Sequence, residues 1–114
     1  MIYHIAYRAD WAAARAAGRY TVSTRGVSLE EQGYIHASAA GQVAATANRF
    51  YAGETGLVVL VIDPEALSSP VRFEPPAPGV AELFPHIYGP IEVAAVVETV
   101  PLTADAEGRF RFSC

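Results

Sequence analysis

One segment constrains this chain more than any other. Leu57 to Ile62 reads LVVLVI, apolar at every position, with Gly53 and Gly56 before it and Asp63-Pro64 after it. A strand with one wet face alternates apolar and polar residues. An unbroken aliphatic run of this length suits a central strand buried on both faces.

The flanking segments supply the other layers. Ile2 to Ala6, IYHIA, carries β-branched and aromatic residues and reads as a strand. Asp10 is placed to cap a helix from Trp11 to Ala17, and Gly18 falls where a C′ glycine belongs. Residues 19–33 are mixed, with Ser28 and Glu31 spaced as a capping box. Tyr34 to Ala37, YIHA, is a second short strand. Ser38 is expected to cap a helix reaching about Tyr51, with Val43, Ala47 and Phe50 on its buried face and Gln42, Thr46 and Arg49 on another. Six prolines between Pro70 and Pro90 predict an irregular loop with one edge strand, Val71 to Glu74. A long proline-rich loop is commonly a lid or a binding wall. Val93 to Val100 is expected to be a buried strand. Phe110 and Phe112 alternate with Arg109 and Arg111, the pattern of a half-exposed edge strand. Strands outnumber helices and the helices come early, so the expected class is α+β: a mostly antiparallel split β-sheet with two main helices. The 114 residues fit a single domain, 1–114.

Charge and composition narrow the partners. The chain is 52% hydrophobic, far from the disordered class. Its net charge is −4, and all eight basic residues are arginine. An acidic chain is poorly suited to gripping a nucleic-acid backbone, which needs clustered basic residues, although Arg8, Arg15 and Arg25 offer a local patch. Cys114 is the single cysteine, so neither an internal disulfide nor a thiolate metal site is expected. The start, MIYHIAYRAD, lacks the pattern of a signal peptide, and no apolar run approaches a membrane span. A cytoplasmic location without a membrane partner is the expectation. The sequence leaves the oligomeric state open.

The histidines carry most of the chemical interest. His4, His36 and His86 each sit in an apolar or aromatic frame: IYHIA, YIHAS and PHIYG. Each alone reads most simply as a core or edge histidine satisfied by backbone carbonyls. Three imidazoles can also form a zinc site, but no local ligand signature such as HExxH is present, and no metal is expected. Neutral histidine donates and accepts, which suits a ribose diol. Ser38 at a helix start would offer amides to an anion, and Arg49 a bidentate phosphate contact. Tyr3, Tyr34 and Tyr88 lie near the histidines in sequence and suit either ring stacking or core filling.

IYHIA, GYIHAS (33–38), QVAATANRF (42–50), LVVLVID and FPHIYGPI together resemble the family called domain of unknown function 952, over residues 2 to about 100. That family is in turn similar to the ADP-ribosyltransferase-like fold, with the RNA 2′-phosphotransferase branch nearest. In that branch a YHGT-type strand is followed by an HVHLS segment, a helix ending in arginine and an LxID strand. Here YHIA carries His4, YIHAS carries His36 and Ser38, ANRF carries Arg49, and VLVID ends at Asp63. The resemblance implies NAD as cofactor, with His4 on its ribose and Arg49 at the phosphates or the reacting ribose. It places His36 and Ser38 along the cleft, with His86 and Tyr88 on the opposite wall. By it His4, His36 and Arg49 are the catalytic candidates. Ile5 departs from the glycine of YHGT, and Glu92 is the nearest counterpart to the transferases' glutamate.

Three readings follow. One is an NAD-dependent ADP-ribosyl or phosphoryl transferase. Another is a non-catalytic module binding a nucleotide or small metabolite. The last is a histidine-metal hydrolase.

Overall fold

The computed structural model describes residues 1–113. Cys114 lies outside the described residues. The elements run β1 (Ile2–Tyr7), α1 (Arg8–Ala17), β2 (Arg19–Tyr20), β3 (Val22–Thr24), β4 (Val27–Ser28), α2 (Leu29–Gln32), β5 (Ile35–His36), α3 (Val43–Phe50), β6 (Leu57–Ile62), β7 (Val71–Glu74), β8 (Phe84–Ile87), β9 (Ile91–Glu92) and β10 (Val96–Leu102). Two three-stranded antiparallel sheets dominate, one ordered β1-β6-β10 and the other β5-β8-β7, with two short pairs, β2-β9 and β3-β4.

The apolar run forms the middle of the first sheet, as its composition predicts. All six residues of β6 are buried. Side chains alternate across a strand, so β6 serves two cores. Val58, Leu60 and Ile62 join Ile2, Ala6 and Ala14 on one face, where Tyr20, Ile35 and Ile87 also pack. Leu57, Val59 and Val61 join Tyr3, Ile5, Val43, Ala47 and Phe110 on the other. Each fully buried aliphatic side chain contributes about 1.5–3 kcal/mol.

Several helix ends differ from expectation. α1 begins at Arg8 directly out of β1, with no side-chain cap, and Asp10 sits in its first turn. The Arg8 amide is satisfied by the Gly56 carbonyl at 2.8 Å, so no capping side chain is needed there. Gly18 closes α1 at φ 91°, as read, and Ser28 and Glu31 form the predicted capping box. Ser38 does not cap α3. Its backbone exchanges hydrogen bonds with Tyr3, N to O at 2.7 Å and O to N at 2.9 Å, which tethers the second sheet to β1. A 3-10 turn at Ala40–Gln42 leads into α3, and Gln42 Oε1 accepts from the Ala39 amide. Thr46 takes the buried place expected for Phe50, which is 48% exposed.

The strands bring two further corrections. β8 lies inside the supposed loop, at the centre of the second sheet despite Pro85, so the irregular stretch shrinks to residues 75–83. β7 is an edge strand, as expected. β10 begins three residues later than read and is an edge strand, largely exposed, because only β6 pairs with it. Phe110 is buried between exposed Arg109 and Arg111, but it makes a single bridge to Ala104 instead of a strand. Asn48 holds that segment: its Nδ2 donates to the Phe110 carbonyl at 3.0 Å, and the Phe110 amide donates to its Oδ1 at 2.8 Å. Asn48→Ala is therefore expected to cost about 1–3 kcal/mol in urea unfolding; an unchanged midpoint would mean that the clamp is idle.

No helix of the described residues is long and apolar enough to cross a membrane.

Candidate functional site

The second sheet has two unlike faces, and alternation explains them. Ile35, Ala37 and Ile87 point into the first core. The register pairs His36 with His86 and His86 with Arg72, and Glu74 with Phe84. Those residues share the opposite face, and Tyr34 and Tyr88 extend it by the same two-residue step. Residues 75–83 border this face and separate two cavities. One, of about 460 Å³, is lined by Tyr34, Glu74, His86, Tyr88 and the loop prolines. The other, of about 190 Å³, is lined by His36, Thr46, Arg49, Phe50, Glu82 and Phe84. Pro76, Ala77 and Val80 border both, as a shared wall. Gln42 pins the loop to α3, donating to Glu82 Oε2 at 3.0 Å and to the Leu83 carbonyl at 2.9 Å.

His86 is the most enclosed of the face residues, at 1% exposure. Its Nδ1 donates to Glu74 Oε1 at 2.9 Å, and Tyr34 stacks on its ring at 4.0 Å. Nε2 of His86 is buried and has no partner among the described residues. The Tyr88 hydroxyl also donates to Glu74 Oε1. These bonds, Tyr88 first and then His86, hold the Glu74 carboxyl below the usual carboxylate range. The Arg72 guanidinium lies 5.1 Å over the Tyr88 ring.

His36 faces the smaller cavity. Burial first, and then the electrostatic influence of neighbouring His86, lower its pKa to about 4, so it is a neutral imidazole at physiological pH. Arg49, at the last turn of α3, is exposed and rests 5.3 Å from the Phe50 ring. It has no acidic partner among the described residues, whereas Arg25 pairs with Glu54 and Arg111 with Asp105.

His4 is placed differently. It is 3% exposed, on the first-core face of β1. Its Nδ1 donates to the His36 carbonyl at 2.6 Å, and its Nε2 accepts from the Tyr20 hydroxyl at 3.0 Å. Both ring nitrogens are thus engaged inside the protein, behind the face that carries His36. Burial lowers its pKa to about 4. Ser38 is likewise buried, lining with His4, Ser23 and Thr46 a cavity of about 10 Å³, room for about one water. Tyr3 fills core, edge-on to Phe112. Glu92 lines neither large cavity; it accepts from Ser68 N and Oγ. The three imidazoles do not form a ligand set: among the described residues no three His, Cys, Asp or Glu converge as a metal site would require.

Of the residues singled out in sequence, His36, Arg49, His86 and Tyr88 therefore line the two cavities, while His4 and Ser38 stand behind them. Glu74, Gln42 and Tyr20 were missed. The available signal for Glu74 was its two-residue offset from Arg72 on an edge strand.

The geometry defines an α+β protein with two antiparallel three-stranded sheets and an aromatic, histidine-bearing groove on the second. The chain belongs to the family described as "Protein of unknown function (DUF952)", whose model matches residues 5–99. It is similar to protein CC0527 from Caulobacter crescentus. The crystal structure of that protein is 34% identical, with a TM-score of 0.81 over 96% of this chain and 92% of that one. The solution structure of CC0527 gives 35% identity and a TM-score of 0.78 over 95% and 89%. No curated protein matches the chain.

Proposed function

We propose that this protein binds a small ligand of the nucleotide class in the divided groove, with a phosphate on Arg49 and a ring among Tyr34, His86 and Tyr88. The observation that carries this reading is Arg49 itself. It is a guanidinium without an acidic partner among the described residues, at the edge of a cavity shared with neutral His36. An arginine left uncommitted beside a concavity is suited to bidentate contact with phosphate oxygens. The resemblance to the ADP-ribosyltransferase-like fold favours NAD or ADP-ribose among nucleotides, and ADP-ribosyl or phosphoryl transfer as the reaction. In this reading His36 and Arg49 meet the ligand, and His4 is a positioning residue holding the His36 backbone.

Binding without turnover is the second reading. Glu92, the nearest counterpart to a transferase carboxylate, is hydrogen-bonded to Ser68 and lines neither large cavity, which favours it.

A thermal-shift titration of native protein and Arg49→Ala with NAD, ADP-ribose and pyrophosphate tests the reading. A ligand at a hundred times its Kd stabilises the native state by about 2.7 kcal/mol. Because Arg49 is exposed, its removal should spare the fold and weaken binding by roughly tenfold or more, the worth of a charge-assisted hydrogen bond. Equal binding by the variant, or no shift with any of the three, would sink the proposal. Slow release of nicotinamide from NAD would separate transfer from mere binding.

A further inference from the structure

The two cavities differ in charge: Arg49 and Glu82 both line the smaller one, whereas a carboxylate with no cationic arginine beside it in the lining marks the larger. Its charged lining group is Glu74. Oε1 of that carboxylate already accepts two hydrogen bonds, from His86 and Tyr88. Oε2 makes none among the described residues, and the side chain is 33% exposed, so it faces an occupant as a ready acceptor. The Tyr88 oxygen, having donated its proton to Glu74, retains lone pairs. His86 donates from Nδ1 to Glu74, and its Nε2 is buried and has no partner among the described residues. Arg72, whose guanidinium lies 5.1 Å over the Tyr88 ring and whose charge helps to hold Glu74 ionised, is not among the lining residues. The walls are largely aromatic and apolar: Tyr34 and Tyr88, their centroids 5.4 Å apart and their rings tilted 47° to each other, on one side, and Pro75, Pro76 and Pro78 around them.

We propose that this cavity is a subsite for a planar group bearing N–H donors or a positive charge, such as an amidinium, a carboxamide or an aminated ring. The group lies against Tyr34 and Tyr88 and directs its N–H groups to the Glu74 carboxylate. Tyr88 and His86 hold the carboxylate in place from below, so the acceptor is preorganised and does not have to be ordered on binding. The same carboxylate disfavours an anionic group. With Arg49 across the shared loop wall, the groove selects a dipolar ligand, donor-rich at one end and anionic at the other. That last step rests on the nucleotide reading; the subsite itself does not.

Three isosteric probes decide it: benzamidine, benzamide and benzoate share one ring and differ in being cationic, neutral and anionic. Titrations followed by amide chemical shifts should show benzamidine binding at least tenfold more tightly than benzoate, with benzamide between them and the shifts centred on Tyr34, Glu74 and Tyr88. Glu74→Gln should weaken benzamidine at least tenfold and erase the preference over benzoate. Tyr88→Phe, which keeps the ring but frees the carboxylate, should weaken benzamidine by a smaller factor. Both variants are checked for native melting, and the three-probe order in unaltered protein stands even if a variant fails to fold. Benzoate binding as tightly as benzamidine, no binding of any probe, or benzamidine indifferent to Glu74→Gln would each overturn the subsite. Pyrophosphate titrated into the same samples reports the anion end separately: its failure to bind would remove the nucleotide reading and leave the benzamidine result to stand or fall alone.

Discussion

His4→Ala is expected to destabilise the protein by about 3–5 kcal/mol, the largest single-residue effect anticipated for a polar position in the chain. The imidazole joins three strands that sequence alone leaves apart. It lies on β1, donates to the backbone of β5, and accepts from Tyr20 on β2. Truncation removes a buried ring and leaves a cavity. It also leaves the His36 carbonyl and the Tyr20 hydroxyl, itself 1% exposed, without their partner. Each abandoned buried group costs about 1–3 kcal/mol. Chemical denaturation of native and variant protein measures the loss. The T-shaped packing of His4 on Tyr20, at 5.1 Å, suggests His4→Phe as a companion. It refills the volume but supplies neither a donor nor an acceptor, so it should recover only part of the loss. A His4→Ala variant that keeps its stability while losing ligand would show instead that the imidazole belongs to the binding site and is dispensable to the fold.

This prediction marks the limit of what the sequence discloses. The frame IYHIA identifies His4 as enclosed, and the family pattern suggests a ligand for it. Neither reveals Tyr20, sixteen residues away in a two-residue strand too short to carry any periodic signal. Burial of β6 was legible because six consecutive aliphatic residues admit few other environments. The second sheet was half legible. Tyr34, His36, Phe84, His86 and Tyr88 obey the two-residue step, but Pro85 argues against a central strand, since proline contributes no ladder donor. Here β8 tolerates it, because the Pro85 carbonyl still accepts from the Ala37 amide at 2.9 Å. Once β8 is restored, Glu74 falls opposite Phe84 and beside His86, and the site acquires its carboxylate. Ser38 was misjudged for a related reason. A serine before a helical stretch looks like a cap, yet its backbone is committed to Tyr3 and the side chain is buried.

Acid should weaken the fold well before the carboxylates titrate. In an unfolded chain the His4 imidazole protonates near 6.5; burial brings that to about 4 in the native protein. Between those values the unfolded state holds a proton that the native state refuses, so stability is complete above about pH 6.5 and falls as the pH drops toward about 4. Below that range both states are protonated and this loss stops growing. For His4 alone the loss is on the order of 3 kcal/mol. Its cause is structural as well as dielectric. With Nδ1 donating to a carbonyl and Nε2 accepting from Tyr20, the native environment offers no acceptor for a second N–H. His36, brought to about 4 by burial and the nearby His86, adds to the decline over the same range. Glu74, Glu92 and Asp105 are each held low by hydrogen bonds, so their contributions disappear only at more acid pH. Urea midpoints taken from neutral pH down to about pH 4 should therefore fall steadily through the histidine range before any carboxylate-driven collapse. His36→Gln should shallow that slope without removing it, because His4 continues to act. A midpoint constant from neutral pH to about 4.5 would mean that His4 can be protonated in place, and the bridge from β1 to Tyr20 would then be looser than its geometry implies.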